Sequence, residues 1–284
     1  MGTAASEIDA CVALVRRDDR PRYLATLLAP AACRDDLMAL YAFNCELSRI
    51  PLVVNEPMAG EIRVQWWRDA LAGEGHGDVR SNPVAASLLD TIERHRLSFT
   101  DFDAVLNGCS VELDGGFLAD MNALEGYLGE RVSMLFKLAG LISGLAPTTP
   151  GLADASGHSG VAYGLTSVLA SFAMDRKSGR CFIPEQVCHA HGLTFETIAA
   201  GDEQAKLTDA LTELHDAAWR HLRLAEEYIM LLPDGHRRSF LPIALLPARL
   251  KQLKAILSDP GRPVADRSQL GLQWTLLRNL RRFS

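Results

Sequence analysis

The stretch Gly160-Val-Ala-Tyr-Gly-Leu-Thr-Ser-Val-Leu-Ala-Ser-Phe-Ala-Met-Asp175-Arg-Lys-Ser-Gly-Arg180-Cys-Phe-Ile-Pro184 decides how this chain is read. Val161, Leu165, Val168, Leu169 and Phe172 recur at helical spacing and form one apolar stripe. Ser167, Ser171 and Asp175 recur every fourth residue, so they stack on a different face. Small polar residues are mostly exposed, and a solvent-facing edge is the ordinary reading of that strip. On a helix this apolar the same strip also suits a cavity wall. Beyond it, Arg176, Lys177 and Arg180 surround a Ser-Gly turn, where three cations could grip a phosphate or be solvated.

Outward from this stretch the helical period continues nearly everywhere. Helices are predicted over 23–28, 34–50, 57–73, 83–96, 100–115, 123–143, 159–174, 203–232, 240–257 and 268–283, with Pro30 and Pro51 as stops. No β-alternation of useful length, nucleotide-binding glycine motif or internal repeat is present. Residues 73–82 read as a surface loop and 146–157 as the best linker candidate. The chain of 284 residues is 48 % hydrophobic and 23 % charged, as a globular protein is. The expectation is a single all-α domain over residues 1–284, with residues 1–8 as a flexible end.

Charge and composition exclude some functions. A net charge of −6 lacks the basic footprint of a nucleic-acid binder. The longest apolar run, 135–145, is interrupted by Lys137 and Gly140, so no segment spans a bilayer. Six dispersed cysteines with no Cys-x-x-Cys pair read as buried apolar residues, and Cys188, His189 and His191 lack a second ligand pair for zinc. The start carries no export signal, which places the protein in a reducing cytoplasm. The basic tail Arg278-Asn-Leu-Arg281-Arg282 suits a helix C-terminus, and peripheral contact with the inner membrane is compatible with it.

The helix over 34–50 repeats the pattern of the first stretch. Leu37, Tyr41, Asn44 and Ser48 share a face, so an apolar stripe turns polar in its last turns. A hydrogen-bonded core asparagine is the default explanation of Asn44; a polar site lined by that turn is the other.

These segments resemble the squalene/phytoene synthase family of head-to-head prenyl-diphosphate condensing enzymes. The resemblance rests on Tyr41-Ala-Phe43, on Leu165-Thr166, Leu169 and Asp175, and on Gly179-Arg180 through Phe182-Ile-Pro184. Asp114, after Gly108, and Tyr127, after Leu124, fall on recognisable family positions. It implies an isoprenoid-synthase-like helical fold with a central cavity, across which two acidic helices hold magnesium against the substrate diphosphate. Magnesium needs hard oxygen ligands in near-octahedral geometry, and carboxylates one turn apart supply them.

The sequence departs from the family at those positions. Where the first Asp-Asp-x-x-Asp belongs stands Ser48-Arg49-Ile-Pro-Leu52, and the second segment has Ser171 and keeps only Asp175. The Val-Ala-Gly-x-Val-Gly run is replaced by Arg131-Val-Ser-Met-Leu-Phe136. Asp175 alone cannot assemble a three-magnesium cluster, so the resemblance implies no cofactor and no confident catalytic residue. Ser48, Arg49, Ser171 and Asp175 are degenerate positions. Tyr41, Asn44, Glu46, Asp114, Tyr127, Ser167 and Arg180 are the cavity candidates.

A narrower resemblance is to the non-synthase branch of the family, which includes the mitochondrial complex I (NADH dehydrogenase) assembly factor 6. It is carried by Tyr41 to Ser48, Glu56-Pro57, Gly60 to Arg68, Arg180 to Pro184 with Val187-Cys188-x-x-His191, and Leu272-Gln-Trp274. Trp66 and Trp67 at helical spacing are read as packing. The branch implies a non-catalytic assembly or binding factor whose partners are complex I subunits or assembly intermediates. The alternatives are a magnesium-dependent prenyltransferase on farnesyl or geranylgeranyl diphosphate, using Glu46, Glu112, Asp114 or Asp175, and an isoprenoid carrier that binds a prenyl lipid or diphosphate.

Overall fold

The structure is a computed structural model that describes residues 2–54, 56–257, 259–260 and 262–283. Its helices are α1 (Gly2–Asp18), α2 (Arg20–Thr26), α3 (Arg34–Val53), α4 (Pro57–Ala72), α5 (Pro83–His95), α6 (Phe99–Leu113), α7 (Met121–Leu128), α8 (Met134–Ile142), α9 (Leu152–Lys177), α10 (Glu185–Ala190), α11 (Phe195–Ala200), α12 (Gln204–Ile229), α13 (Leu246–Ile256) and α14 (Gln269–Asn279). No strand occurs among the described residues. The all-α expectation holds.

The boundaries follow local chemistry. Asn82 caps α5 by accepting from the Val84 and Ala85 amides at 2.8 and 3.1 Å, with Pro83 at the first helical position. Asp120 caps α7 through the Ala123 amide at 2.8 Å. Gly73, at φ 79°, takes the left-handed turn that ends α4. Gly126, inside α7, has open space where a Cβ would stand. Gly126→Ala should therefore raise stability by about 0.5–1 kcal/mol in urea unfolding, from the lower backbone entropy of alanine.

Several expectations are corrected. Pro51 does not stop α3, because proline in a last turn forfeits one hydrogen bond and the Val54 amide still closes on the Ile50 carbonyl at 3.3 Å. The single helix expected over 123–143 is broken by a π-helical turn, Gly129–Ser133. Residues 146–157 are not a linker: α9 begins at Leu152, and Leu152 and Ala155 are buried. Of the end expected to be flexible, the backbone from Gly2 is helical and Met1 lies outside the described residues. Three helices lie outside the expected set: α1, which covers most of the stretch before residue 23, and α10 and α11, which are too short for a period to show. Residues 237–245, ahead of α13, form a 3₁₀ segment in place of the expected helix start at 240.

Two apolar clusters make the core. One gathers α9, α12, α13 and their neighbours around Leu165, Leu214, Phe240 and Leu250. The other gathers α1, α3, α5 and α6 around Leu40, Phe43, Phe102 and Leu106. Trp67 is buried edge-on against Phe43, at 5.0 Å between ring centroids, and Trp66 packs on Trp67. The packing reading of the tryptophan pair is correct. All six cysteines are buried thiols.

The π turn positions the site. It is clamped between α6 and α9, where two glycines allow close approach. A Cβ on Gly160 of α9 would collide with the Ser133 backbone, and one on Gly108 of α6 would press into Arg131. Arg131 and Ser133, two apart and so on opposite sides of the turn, serve opposite neighbours, α6 and α3 for the first and α9 for the second.

Candidate functional site

Between α3, α6, the π turn and α9 lies a cavity of about 320 Å³. Small-molecule sites span about 300–1,000 Å³, so this one is at the small end. Past Pro51, Leu52, Asp175 and Arg180 it joins a cleft of about 930 Å³. Through Tyr163, Ser167 and Ser171 it meets another cleft of about 770 Å³. All three residues of the α9 strip line this open cavity, Asp175 buried, Ser171 half-buried and Ser167 exposed, so the strip is a cavity wall that meets solvent at Ser167.

The centre of the site is Arg131, which is only 4 % exposed. Its Nε donates to Glu112 Oε1 at 2.7 Å, its Nη1 to Asn44 Oδ1 at 2.6 Å and its Nη2 to Ser48 Oγ at 2.8 Å. The Tyr127 hydroxyl donates to the same Glu112 oxygen at 3.0 Å. Burial opposes the guanidinium charge, but the Glu112 carboxylate outweighs it and holds Arg131 above the ordinary arginine range. Burial, reinforced by the Glu112 charge, holds the Tyr127 phenol well above its usual range. Both groups keep their protons.

Asp175, 7 % exposed, is the second centre. Its carboxylate accepts from Arg180 Nη2 at 2.7 Å and Nε at 3.1 Å, and from Ser171 Oγ. The Arg180 amide also donates to the Asp175 carbonyl at 2.9 Å, so the turn itself folds the arginine back onto the acid. Arg22 closes the inner end of the cavity. It pairs with Asp19 at 2.8 Å and lies over the Tyr163 ring at 4.5 Å and the Tyr41 ring at 5.4 Å.

Asn44, Ser48, Tyr127, Ser167, Ser171, Asp175 and Arg180 all line the cavity. The remaining candidates do not. Tyr41 is buried beneath Arg22, and burial pushes its phenol up to about 12. Glu46 is half-buried; burial raises its carboxyl, while a hydrogen bond with Asn82 and the charges of Arg49 and Arg63 oppose the shift. It faces the start of α5, half a turn away from the cavity, and exposed Arg49 lies outside the cavity too, its charge acting on Asp18 and Glu46. Asp114 is exposed and lines only the outer cleft. The three cations near the turn do not converge: Arg180 turns inward, Lys177 lines the outer cleft, and the Arg176 guanidinium lies beside Gly201.

Arg131, Glu112 and Arg22 define the cavity, yet of these the sequence offers only Glu112 as a candidate, one of four acids. The available signal was a paired change. A cation appears at position 131 in a sequence that lacks carboxylates at positions 48 to 52, and the two segments prove to be neighbours.

This donor set does not suit a magnesium cluster. Magnesium takes near-octahedral hard oxygen ligands. Here the two carboxylates that line the cavity, Glu112 and Asp175, each already hold a guanidinium. Ser48 is taken by Arg131, and Leu52 offers no oxygen.

The sequence profile described as squalene/phytoene synthase matches residues 15–271. The chain is 28 % identical over 277 residues to the NADH dehydrogenase (ubiquinone) complex I assembly factor 6 of Bos taurus, covering 97 % of this chain and 82 % of that protein. It is 26 % identical over 267 residues to the presqualene diphosphate synthase of Zymomonas mobilis, covering 90 % and 87 % of the two chains. Among solved structures, a dehydrosqualene synthase in complex with ligand superposes with a TM-score of 0.78 at 17 % identity, over 98 % of each chain. A helical fold with a cavity between α3 and α9, matched by the family profile over most of its length, places this chain in the squalene/phytoene synthase family.

Proposed function

We propose that this chain is a non-catalytic, cytoplasmic member of its family that serves as an assembly or binding factor in respiratory complex I biogenesis. The observation that carries this reading is the Arg131 fork. Ionising a prenyl diphosphate requires mobile cations that neutralise the departing group. Arg131 is a cation, but Glu112, Asn44 and Ser48 already take its Nε, Nη1 and Nη2 donors. It neutralises the protein rather than a leaving group. The complex I link rests on likeness to proteins named as complex I assembly factors.

Purified protein given farnesyl or geranylgeranyl diphosphate with magnesium should release pyrophosphate no faster than buffer. Release that depends on Asp175, lost in Asp175→Asn, would overturn the reading. Deleting the gene should lower assembled NADH dehydrogenase and leave squalene-type lipids unchanged; the reverse pattern supports a prenyltransferase. A second reading, an isoprenoid carrier, is favoured by one feature: the cavity stays open, with apolar walls from Leu128, Leu135, Val168 and Phe182. Mass spectrometry of solvent extracts from native protein separates the two, since only a carrier retains a prenyl lipid.

A further inference from the structure

α14 carries a face that nothing in the described fold covers. Its Leu272 and Leu276 are buried, and the helix packs on α2 and on residues 237–245. Leu270, Trp274 and Leu277 point the other way and are 78, 70 and 53 % exposed. At 3.6 residues per turn these three side chains fall within about 60° of the helix circumference. Arg278 and Arg281 stand exposed beside them, and neither makes an ion pair among the described residues. Arg282 differs, being held by Glu226 at 2.9 Å. Residues 259–283 carry five arginines against two aspartates, in a chain whose net charge is −6.

We propose that this face docks on an anionic lipid bilayer, with α14 lying in the plane of the interface. An amphipathic helix with leucine and tryptophan on one face and arginines at its edge binds in that way. Tryptophan sits at headgroup level, where its ring is apolar and its N–H finds a partner. The charges select lipid over a second copy. Two such faces brought together would oppose the arginines of one to those of the other, whereas phosphates complement them. A stable protein interface also takes about 800 Å² from each partner, more than one tryptophan and two leucines offer. Neither the stripe nor its arginines line the cavity, so this inference stands or falls separately from the reading of the site.

The test is co-sedimentation of the full chain with vesicles of phosphatidylcholine alone and of phosphatidylcholine with phosphatidylglycerol. Binding should be at least roughly tenfold stronger to the anionic vesicles and weaken as salt rises. Arg278→Gln and Arg281→Gln should each cost about fivefold on anionic vesicles and nothing on neutral ones. Trp274→Ala and Leu270→Ser should each reduce binding about tenfold while leaving the thermal melt unchanged, because both side chains are exposed in the free protein. Equal binding to the two vesicles, or full binding by these variants, would overturn the proposal. So would a dimer in sedimentation equilibrium that Trp274→Asp dissolves.

Discussion

Glu112→Gln should lower the unfolding free energy by about 3–5 kcal/mol, the cost of leaving a buried charge without its counter-ion. Arg131 keeps two neutral acceptors in this variant, Asn44 and Ser48, but loses the carboxylate at 2.7 Å. With its side chain only 5 % exposed, water cannot make up the loss. The melting temperature should fall by roughly 10 °C, at a few degrees per kcal/mol for a chain of this size. The companion variant is the double change Glu112→Gln with Arg131→Met. It removes both charges and keeps most of the volume, and such replacements of buried pairs are often close to neutral. Urea unfolding of the two single variants and the double closes a double-mutant cycle. A single-variant loss under about 1 kcal/mol, or strict additivity, would show that the fork is not an internal ion pair of consequence.

Gly160→Ala should be the most damaging of the glycine substitutions, at about 3 kcal/mol, the upper end for overpacking. The new methyl would meet Ser133 at its Cα, amide nitrogen and Oγ, and the first two are backbone. Ser133 cannot retreat freely, since its hydroxyl also bonds the Gly157 carbonyl at 2.9 Å on the same helix. The π turn must therefore move away from α9, carrying Arg131 two residues upstream. Gly164→Ala is the control, because its methyl would press only on a side chain, that of Leu128, which borders the cavity and can give way without moving backbone, so its cost should be clearly smaller. Urea midpoints should separate the two clearly. If they shift equally, the backbone collision is not what makes Gly160 small.

Much of the architecture was legible in the sequence. Proline at position 83, glycine at 73 and the apolar periods mark several of the helix ends, because caps and periodicity are local properties. Pro51 was misread because a stop signal and a tolerated last-turn proline look the same without the carbonyl geometry. The π turn was hidden for a similar reason. Gly129 to Ser133 keeps an apolar helical pattern on both sides, and the extra residue is visible only in the hydrogen-bond register.

The site divided along the same line. Ser167, Ser171 and Asp175 could be placed on one helical face, since fourfold spacing does that by itself. Whether that face met solvent or a cavity depended on α3, more than a hundred residues away. Glu46 stands half a helical turn from Ser48, which its spacing already shows, and the fold adds that its partner there is Asn82, at the start of α5.

The sequence by itself determined that carboxylates are missing at Ser48 to Leu52 and at Ser171, because ligand chemistry belongs to residue type. It also determined that the chain is helical, because periodicity does. Only the tertiary structure decided what stands in their place. Arg131 reaches Ser48 and Asn44 across 83 and 87 residues of chain, and no local pattern encodes a contact of that range. The stretch from Gly160 to Pro184 holds both lessons. Its surviving Asp175 is a family feature that could be read directly, and its pairing with Arg180 is a fact of folding that turns a ligand into half of an ion pair.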